Sequence, residues 1–398
     1  MALLPELVDQ TMADDAPGKL VYLVVGEASG DLLGADLITA MRVAAPDVRC
    51  AGLAGPRMQA LGLESLFDIE DISVMGFSAV IGRLPTLLKR IARTVRDIVE
   101  KRPDVLVLID SPDFTHRVAK RVRAKLPGIV VIKYICPSVW AWRQGRAKTM
   151  AAYIDHVLAV LPFEPALLAK LDGPKATYIG HPMAKALSGL ALPNRRKPAA
   201  EKTLLLLPGS RRSELSLLFN DFRETLELLH ERGNRFRVLL PAVPKLETEI
   251  RRQVANWKIK PEIVTGEQAK HAAFLAADAA LATSGTVLLE LALYQVPMIS
   301  IYRLDWLLYR FRFLIKAWTG ALPNLIADAT IVPERVGDMV RAGWLARAIE
   351  GLICEGSARN AQIEGFERVA LRMHQSEPAS VIAARKILEM AGWNRPAG

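Results

Sequence analysis

Asp110 closes the apolar run 104–110 and is followed by Ser111-Pro112-Asp113-Phe114. A carboxylate directly beyond a parallel strand stands at the edge where open α/β sheets bind ligands. Pro112 opens a helix at its first position with Ser111 as cap, and Asp113 then complements the helix dipole. Asp110 has no such structural job, which points to a functional one. Leu207-Pro208-Gly209-Ser210-Arg211 is a strand leading through a glycine turn into a helix near Arg212. Backbone donors, a hydroxyl and an arginine fork meet there, the chemistry of a phosphate site. Thr283-Ser284-Gly285-Thr286 repeats the strand-to-helix turn, with Glu290 one helical turn inside, placed to take a ribose diol. Two donor-rich helix starts in one half of the chain fit a nucleotide diphosphate.

The opening glycine turn is Gly26-Glu27-Ala28-Ser29-Gly30-Asp31. It matches neither G-x-G-x-x-G nor the P-loop pattern. An anion-facing turn and a merely well-capped helix start, with Ser29 or Asp31 as N-cap, both account for it. Pro137-Ser138-Val139-Trp140-Ala141-Trp142-Arg143-Gln144-Gly145-Arg146 places two tryptophans and two arginines in a strand-end loop. Such a loop suits sugar rings and anionic groups, although tryptophans also anchor loops. His181 lies beside a linker, where a hinge contact and a chemical role weigh equally. No His, Cys or acidic cluster has metal-ligand spacing, so no metal is expected.

Glycine turns at strand ends need a layered α/β frame, and the hydrophobic runs supply it. Segments 19–25, 48–53, 104–110, 129–135, 156–161 and 176–180 are continuous and β-branched, as parallel strands covered on both faces should be. The alternation fades at 181–202, a Pro-rich and charged linker, and resumes at 203–209, 236–242, 262–266, 278–283 and 297–302. Two Rossmann-like doubly wound domains facing a cleft are expected, with no strand after Tyr302 and a helical tail from about 340. In 83–99, Leu84, Leu87, Leu88, Ile91 and Val95 form a core-facing helical stripe. The preceding 72–82 shows little period, and its Met75, Phe77, Val80 and Ile81 could line an apolar groove. In 302–318 a second helical face, Trp306, Tyr309 and Phe313 edged by Arg310, Arg312 and Lys316, has the character of a membrane-interface helix.

The 398 residues exceed what one core sustains, and no run of 18 uncharged apolar residues suggests a span. Residues 1–18 carry four acids and lack a basic start, so they read as a loose extension and not a secretory signal. Three scattered cysteines fit a reducing compartment, the cytoplasm by default. A net charge of +10 calls for an anionic partner without saying which.

GEASGD, AGPRM (54–58), VMGF (74–77), IDSPDF (109–114), PSVWAWRQGR, LPFE (161–164), IGHP, LPGSR, SGT and LPNLIA (322–327) succeed one another in an order that resembles the lipid-A-disaccharide synthase family. The resemblance runs from about residue 20 to about 390. It implies a GT-B glycosyltransferase that joins UDP-2,3-diacylglucosamine to 2,3-diacylglucosamine 1-phosphate, forming a β-1,6 disaccharide and UDP.

The implied domains are 19–185 for acceptor and base, 186–365 for the UDP-sugar, and 366–398 as helices packing back on the amino-terminal domain. Gly209, Ser210, Arg211, Ser284, Gly285, Thr286, Glu290 and Asn324 would bind UDP. Gly26, Glu27, Ser29, Gly30, Asp31, Trp140 and Arg143 would face acceptor and phosphate, with Glu27 or Asp31 on acceptor hydroxyls. Asp110 can then serve as base for the incoming hydroxyl, with Arg211 and helix N-termini receiving the leaving diphosphate without a metal.

Acylated substrates, with Met75, Phe77, Trp306 and Phe313 toward the lipid, imply peripheral attachment to the inner face of the inner membrane. No cofactor and no nucleic acid are expected, and a second copy of the chain is entertained as a partner. Gly337 stands where the family usually has Gln, which puts that contact in question. Two other readings are a UDP-sugar 2-epimerase of the same fold and a non-catalytic anionic-lipid-binding protein. The apolar, basic segments tell against the first, and Asp110, Arg211 and Glu290 against the second.

Overall fold

The computed structural model describes residues 19–72, 77–183, 201–303 and 316–393, with backbone alone over 77–84. The linker centred on 184–200, Met75, Trp306, Phe313 and the extension 1–18 lie outside the described residues, as does the side chain of Phe77.

β1 (Leu20–Val25), β2 (Arg49–Leu53), β3 (Val105–Ile109), β4 (Val130–Tyr134), β5 (His156–Ala159) and β6 (Lys175–Tyr178) form one six-stranded sheet, in the order β2-β1-β3-β4-β5-β6. Val21 to Val25 and Val105 to Ile109 are fully buried, which explains why these strands are apolar without alternation. β7 (Lys202–Leu207), β8 (Phe236–Ala242), β9 (Glu262–Thr265), β10 (Ala279–Thr283), β11 (Met298–Tyr302) and β12 (Glu334–Val336) form the second sheet, ordered β12-β11-β10-β7-β8-β9.

The expected α/β architecture of two parallel sheets is therefore present. One expectation fails: β12 is a strand after Tyr302, pairing parallel with β11 through Ser300↔Glu334. Three residues with little burial give no periodic signal, so only the sheet edge that receives them makes them a strand.

Strand order reverses at a single place in each sheet. β1 pairs with β2 on one side and β3 on the other, with Val25 opposite Ile109. β7 pairs with β8 and with β10, with Leu207 opposite Ala282. The carboxyl ends at such a reversal leave a crevice between diverging connections, and ligands bind there.

Helices follow the strands. α1 (Ala28–Ala44) begins behind β1, α2 (Pro56–Gln59) behind β2 and α3 (Phe77–Lys101) runs on to β3. α3 starts at Phe77, so much of the segment that seemed to lack a period is helical. Among its described side chains, Ile91, Thr94, Val95 and Ile98 are buried, while Leu88 is 39% exposed and not in the core as expected, and the side chain of Leu84 lies outside the described residues. α4 (Pro112–Lys125), α5 (Gly145–Met150) and α6 (Glu164–Lys170) complete this part.

In the second half α7 (Arg212–Glu231), α8 (Glu247–Val254), α9 (Glu267–Ala276) and α10 (Thr286–Leu293) alternate with strands. α11 (Leu322–Ala327), α12 (Ala342–Ile353), α13 (Ser357–Met373) and α14 (Ala379–Met390) make the helical tail. Contacts divide the chain into two compact units, 1–137 with 149–158 and 380–398, and 138–148 with 159–379. No helix among the described residues is long and apolar enough to cross a membrane.

Candidate active site

The second unit holds a cavity of about 610 Å³ at the carboxyl ends of β7 and β10, where the strand order reverses. Gly209, Ser210, Arg211, Ser284, Gly285, Thr286 and Glu290 all line it, so residues separated by up to 81 positions meet at one place. Gly285 caps α10, whose first-turn N–H groups have no acceptor within the helix and carry its positive dipole end.

The turn before α7 differs from the expectation. The Glu214 carboxylate accepts from the N–H of Ser210 at 3.0 Å and of Arg211 at 3.3 Å, and pairs with the Arg211 guanidinium at 3.0 Å. A Cβ on Gly209, whose φ is +105°, would stand 2.1 Å from a Glu214 oxygen, so glycine is required to let that carboxylate in. Arg211 keeps its remaining guanidinium donors and is 68% exposed.

Glu290 receives the Lys270 ammonium at 2.6 Å, and Lys270 also reaches Glu267 at 3.5 Å. Lys270, Glu267 and Glu214 line the cavity without having been singled out in the sequence, and Thr283, which opens the turn before Ser284, lines it too. The helix-start pattern behind the third strand of this half, Gly266-Glu267 with Lys270 one turn on, is the signal that could have found them. The Thr283 hydroxyl is buried with no hydrogen-bond partner among the described residues.

Asn324 does not line the cavity. It is wholly buried, donating to Thr319 Oγ1 and the Val332 carbonyl and accepting from the N–H of Ile331 and Val332. Thr319 and the Gly320 N–H donate to Glu334, and Ser284 Oγ donates to the Gly320 carbonyl at 3.0 Å. Asn324 thus fastens the loop that steadies Ser284. Gly337 has a φ of +62° and nothing within 4 Å of a would-be Cβ, a turn where another residue would be strained.

In the first unit, the turns after β1 and β3 lie against each other. A Cβ on Gly26 would come 2.3 Å from Ser111 Cβ, and one on Gly30 would sit 3.6 Å from Asp110 Cβ. Gly26 permits the close approach of the two connections, while a Cβ at Gly30 would meet only ordinary contact; this approach brings Glu27, Ser29 and Asp110 together. Ser29 Oγ donates to Asp110 Oδ2 at 3.1 Å, and the Ser111 N–H donates to Oδ1 at 2.8 Å.

Asp110 and Ser111 are both left-handed, with φ of 54° and 42°. Ser111 stands at the N-cap of α4, but its side chain makes no cap bond there. Burial, and secondarily Asp110, holds the Glu27 carboxyl above the usual range, with Lys133 pulling the other way. That arrangement concentrates two carboxylates and a cation at one strand edge.

The structure also corrects two readings of the opening turn. The N-cap of α1 is Glu27, not Ser29 or Asp31. Asp31 is 2% exposed and accepts from the N–H of Arg57 at 2.8 Å and Met58 at 3.1 Å, capping α2 across 26 residues of sequence. Its oxygens are committed to the fold and do not serve an acceptor hydroxyl.

In the aromatic loop, Trp140 packs edge-on to Phe163 with ring centroids 6.1 Å apart and hydrogen-bonds the buried Glu164. Burial pushes Glu164 up to about 8, against the N–H groups of Leu161 and Val160 and the indole, which favour its charged form. Trp140 is therefore the anchor of this loop. Trp142 is 43% exposed, with the Arg143 guanidinium 4.3 Å from its ring centroid, and presents the stacked aromatic–cation surface.

Two comparisons in sequence and one in structure bear on this geometry. The family model for lipid-A-disaccharide synthetase matches residues 21–386. A lipid-A-disaccharide synthase from Rhodopseudomonas palustris is 45% identical, covering 88% of this chain and 91% of its own. One from Bradyrhizobium diazoefficiens is 42% identical, covering 94% and 96%.

Among solved structures, the fold is similar to that of a Staphylococcus aureus MnaA–UDP complex, with a TM-score of 0.62 at 12% identity, covering 95% of this chain and 99% of that one. It is also similar to Acinetobacter baumannii MurG, with a TM-score of 0.56 at 12% identity, covering 94% and 100%. At such identities the structures speak for the GT-B fold alone. Matched over nearly its whole length, with both strand-edge sites inside the match, the chain belongs to the lipid-A-disaccharide synthetase family.

Proposed function

We propose that the cavity beyond β7 and β10 takes the uridine diphosphate of the donor, and that the carboxylate cluster beyond β1 and β3 activates the acceptor hydroxyl. The chain is a glycosyltransferase making the lipid A disaccharide, as its family membership establishes. Donor and acceptor are read as UDP-2,3-diacylglucosamine and 2,3-diacylglucosamine 1-phosphate. The observation that carries the donor assignment is the gathering of Ser210, Arg211, Ser284, Gly285, Thr286 and Glu290 around one cavity at the strand-order reversal.

In this reading the Asp110 carboxylate accepts the proton of the acceptor's 6-hydroxyl as its oxygen attacks the anomeric carbon. The bond to UDP breaks on the opposite face and the configuration inverts. Negative charge growing on the diphosphate meets Arg211 and the amino end of α10, which need no reorganisation as the bond breaks. Glu290 takes the ribose hydroxyls once its lysine partner shares it.

The reading is tested by incubating the purified protein with both acylated substrates in detergent. Disaccharide and UDP should form in equal amounts. Exhaustive chelation should leave the rate unchanged, because arginine and helix ends are proposed to do what a metal would. Loss of activity on chelation, restored by magnesium, would overturn the metal-independent part alone. Turnover of unacylated UDP-N-acetylglucosamine to its epimer, with no disaccharide from the acylated pair, would favour the epimerase instead.

Attachment to the inner face of the inner membrane follows from the substrates. Each buried CH₂ contributes about 0.8 kcal/mol to bilayer retention, so the lipids stay in the membrane and the enzyme comes to them. Replacing Trp306 and Phe313 by serine should release the protein from vesicles containing anionic lipid while UDP affinity holds. Equal flotation of the double variant would assign that stripe to internal packing.

A further inference from the structure

Lys133 lies one residue from the carboxyl end of β4 and is 1% exposed, paired in register with Leu108 of β3 and Val157 of β5. An ammonium inside a sheet is costly, and packing does not ask for it, since methionine fills the same volume without charge. Its partners show what it does. Nζ donates to the Asp110 backbone carbonyl and to Thr115 Oγ1, and Thr115 Oγ1 in turn donates to the carbonyls of Asp110 and Ser111. These bonds close on the two consecutive left-handed residues that aim the Asp110 side chain away from its strand. Two L-residues in that region persist only where their surroundings over-determine them. The neighbouring strand leaves under similar strain, with φ of 70° at the β-branched Ile135.

We propose that Lys133 is a positioning residue for the Asp110 carboxylate: its ammonium fixes the left-handed turn through the Asp110 carbonyl and supplies a positive charge to a site holding two carboxylates. This rests on the reading of Asp110 as the base.

Charge balance supports the same role. The ionisable groups felt by Lys133 are Asp110 from the end of β3, Cys136 from the connection after β4, and Glu27 from the connection after β1. Burial brings the ammonium down to about 7, and these three groups oppose the fall. The ammonium thus offsets the negative groups that meet at this strand edge. Without it, the Glu27 carboxyl, raised by burial and by Asp110, would lose the charge that pulls it back down.

The test is the pH profile of kcat/KM for wild type, Lys133→Met, Thr115→Val and Asp110→Asn. Lys133→Met should lower kcat by about 10–100-fold, as a misplaced catalytic group does, with the donor KM little changed. Its acid limb should move up, because the cation that offsets the two negative groups at this strand edge has been removed. Thr115→Val, which removes an uncharged donor to the same carbonyl, should lower kcat less and leave the limb in place. Full activity in Lys133→Met, or a lower rate with an unmoved limb, would reduce Lys133 to packing and overturn the inference.

Should Lys133→Met lack a cooperative melt, Lys133→Gln carries the same expectation and the same overturning results. Asp110→Asn separates the two readings. Normal turnover there rejects Asp110 as base, whereas a large loss there together with an unmoved limb in the lysine variant rejects the role of Lys133 alone.

Discussion

Asp110→Asn should lower kcat by about 10²–10⁴, the range for removing a positioned base. The substitution keeps the shape of the side chain. The contacts with the Ser111 N–H at 2.8 Å and Ser29 Oγ at 3.1 Å can be met by an amide oxygen and a rotated hydroxyl. What disappears is the capacity to accept a proton. UDP affinity should hold, because the residues proposed for the nucleotide belong to the other unit. Asp113→Asn is the control: as a residue of the first turn of α4 it should cost about 0.3–1 kcal/mol of stability and little rate. If Asp110→Asn turns over normally, Glu27 becomes the next candidate. Asp31 does not, since both its oxygens cap α2.

Arg211→Ala should weaken UDP binding and slow transfer by about 10²–10³, the loss seen when one preorganised donor to a developing anion is removed. The effect should exceed that of a surface charge for a specific reason. Arg211 neutralises Glu214 through one nitrogen and keeps other donors for the diphosphate, so its loss removes a cation and leaves a carboxylate unpaired beside the ligand. Arg212→Ala, the exposed neighbour that does not line the cavity, is the control and should bind UDP as the wild type does. Calorimetric titration with UDP decides it, and equal affinity in Arg211→Ala would move the diphosphate away from this turn.

Much of the scaffold is legible in the sequence because buried parallel strands leave a strong trace. Runs such as LVYLVV and VLVLI are apolar at every position, and the Gly26 turn behind the first and the Asp110-Ser111-Pro112 turn behind the second mark where each strand ends. What stayed hidden depends on partners distant in the chain. Asp31 looks like a residue of an anion-binding turn until Arg57 and Met58 arrive beneath it. Asn324 sits in a motif of the family, yet its amide serves Val332 and Ile331 and reaches the cavity only through a loop. Trp140 and Trp142 read alike, and only packing against Phe163 assigns one to anchoring and leaves the other outside. Lys133 did leave a trace, a single charge inside the apolar run IVVIKYI, and a lysine so placed in a doubly covered strand deserves a partner search.

The cavity proposed for the nucleotide has a consequence for ionic strength. Among the described residues, Arg211 and Lys270 are its cationic lining residues, against the carboxylates of Glu214, Glu267 and Glu290. A site of that composition attracts a diphosphate through close, oriented donors and a helix end, and has no surplus of fixed positive charge to act at a distance. Added salt screens interactions longer than about 10 Å at 0.1 M and leaves short, partly buried ones largely intact. The chain as a whole carries +10, a long-range field of the kind that salt suppresses. Raising ionic strength should therefore detach the protein from the anionic membrane surface proposed for it well before it loosens the nucleotide proposed for this cavity, so that the two proposed contacts answer to different ranges of salt.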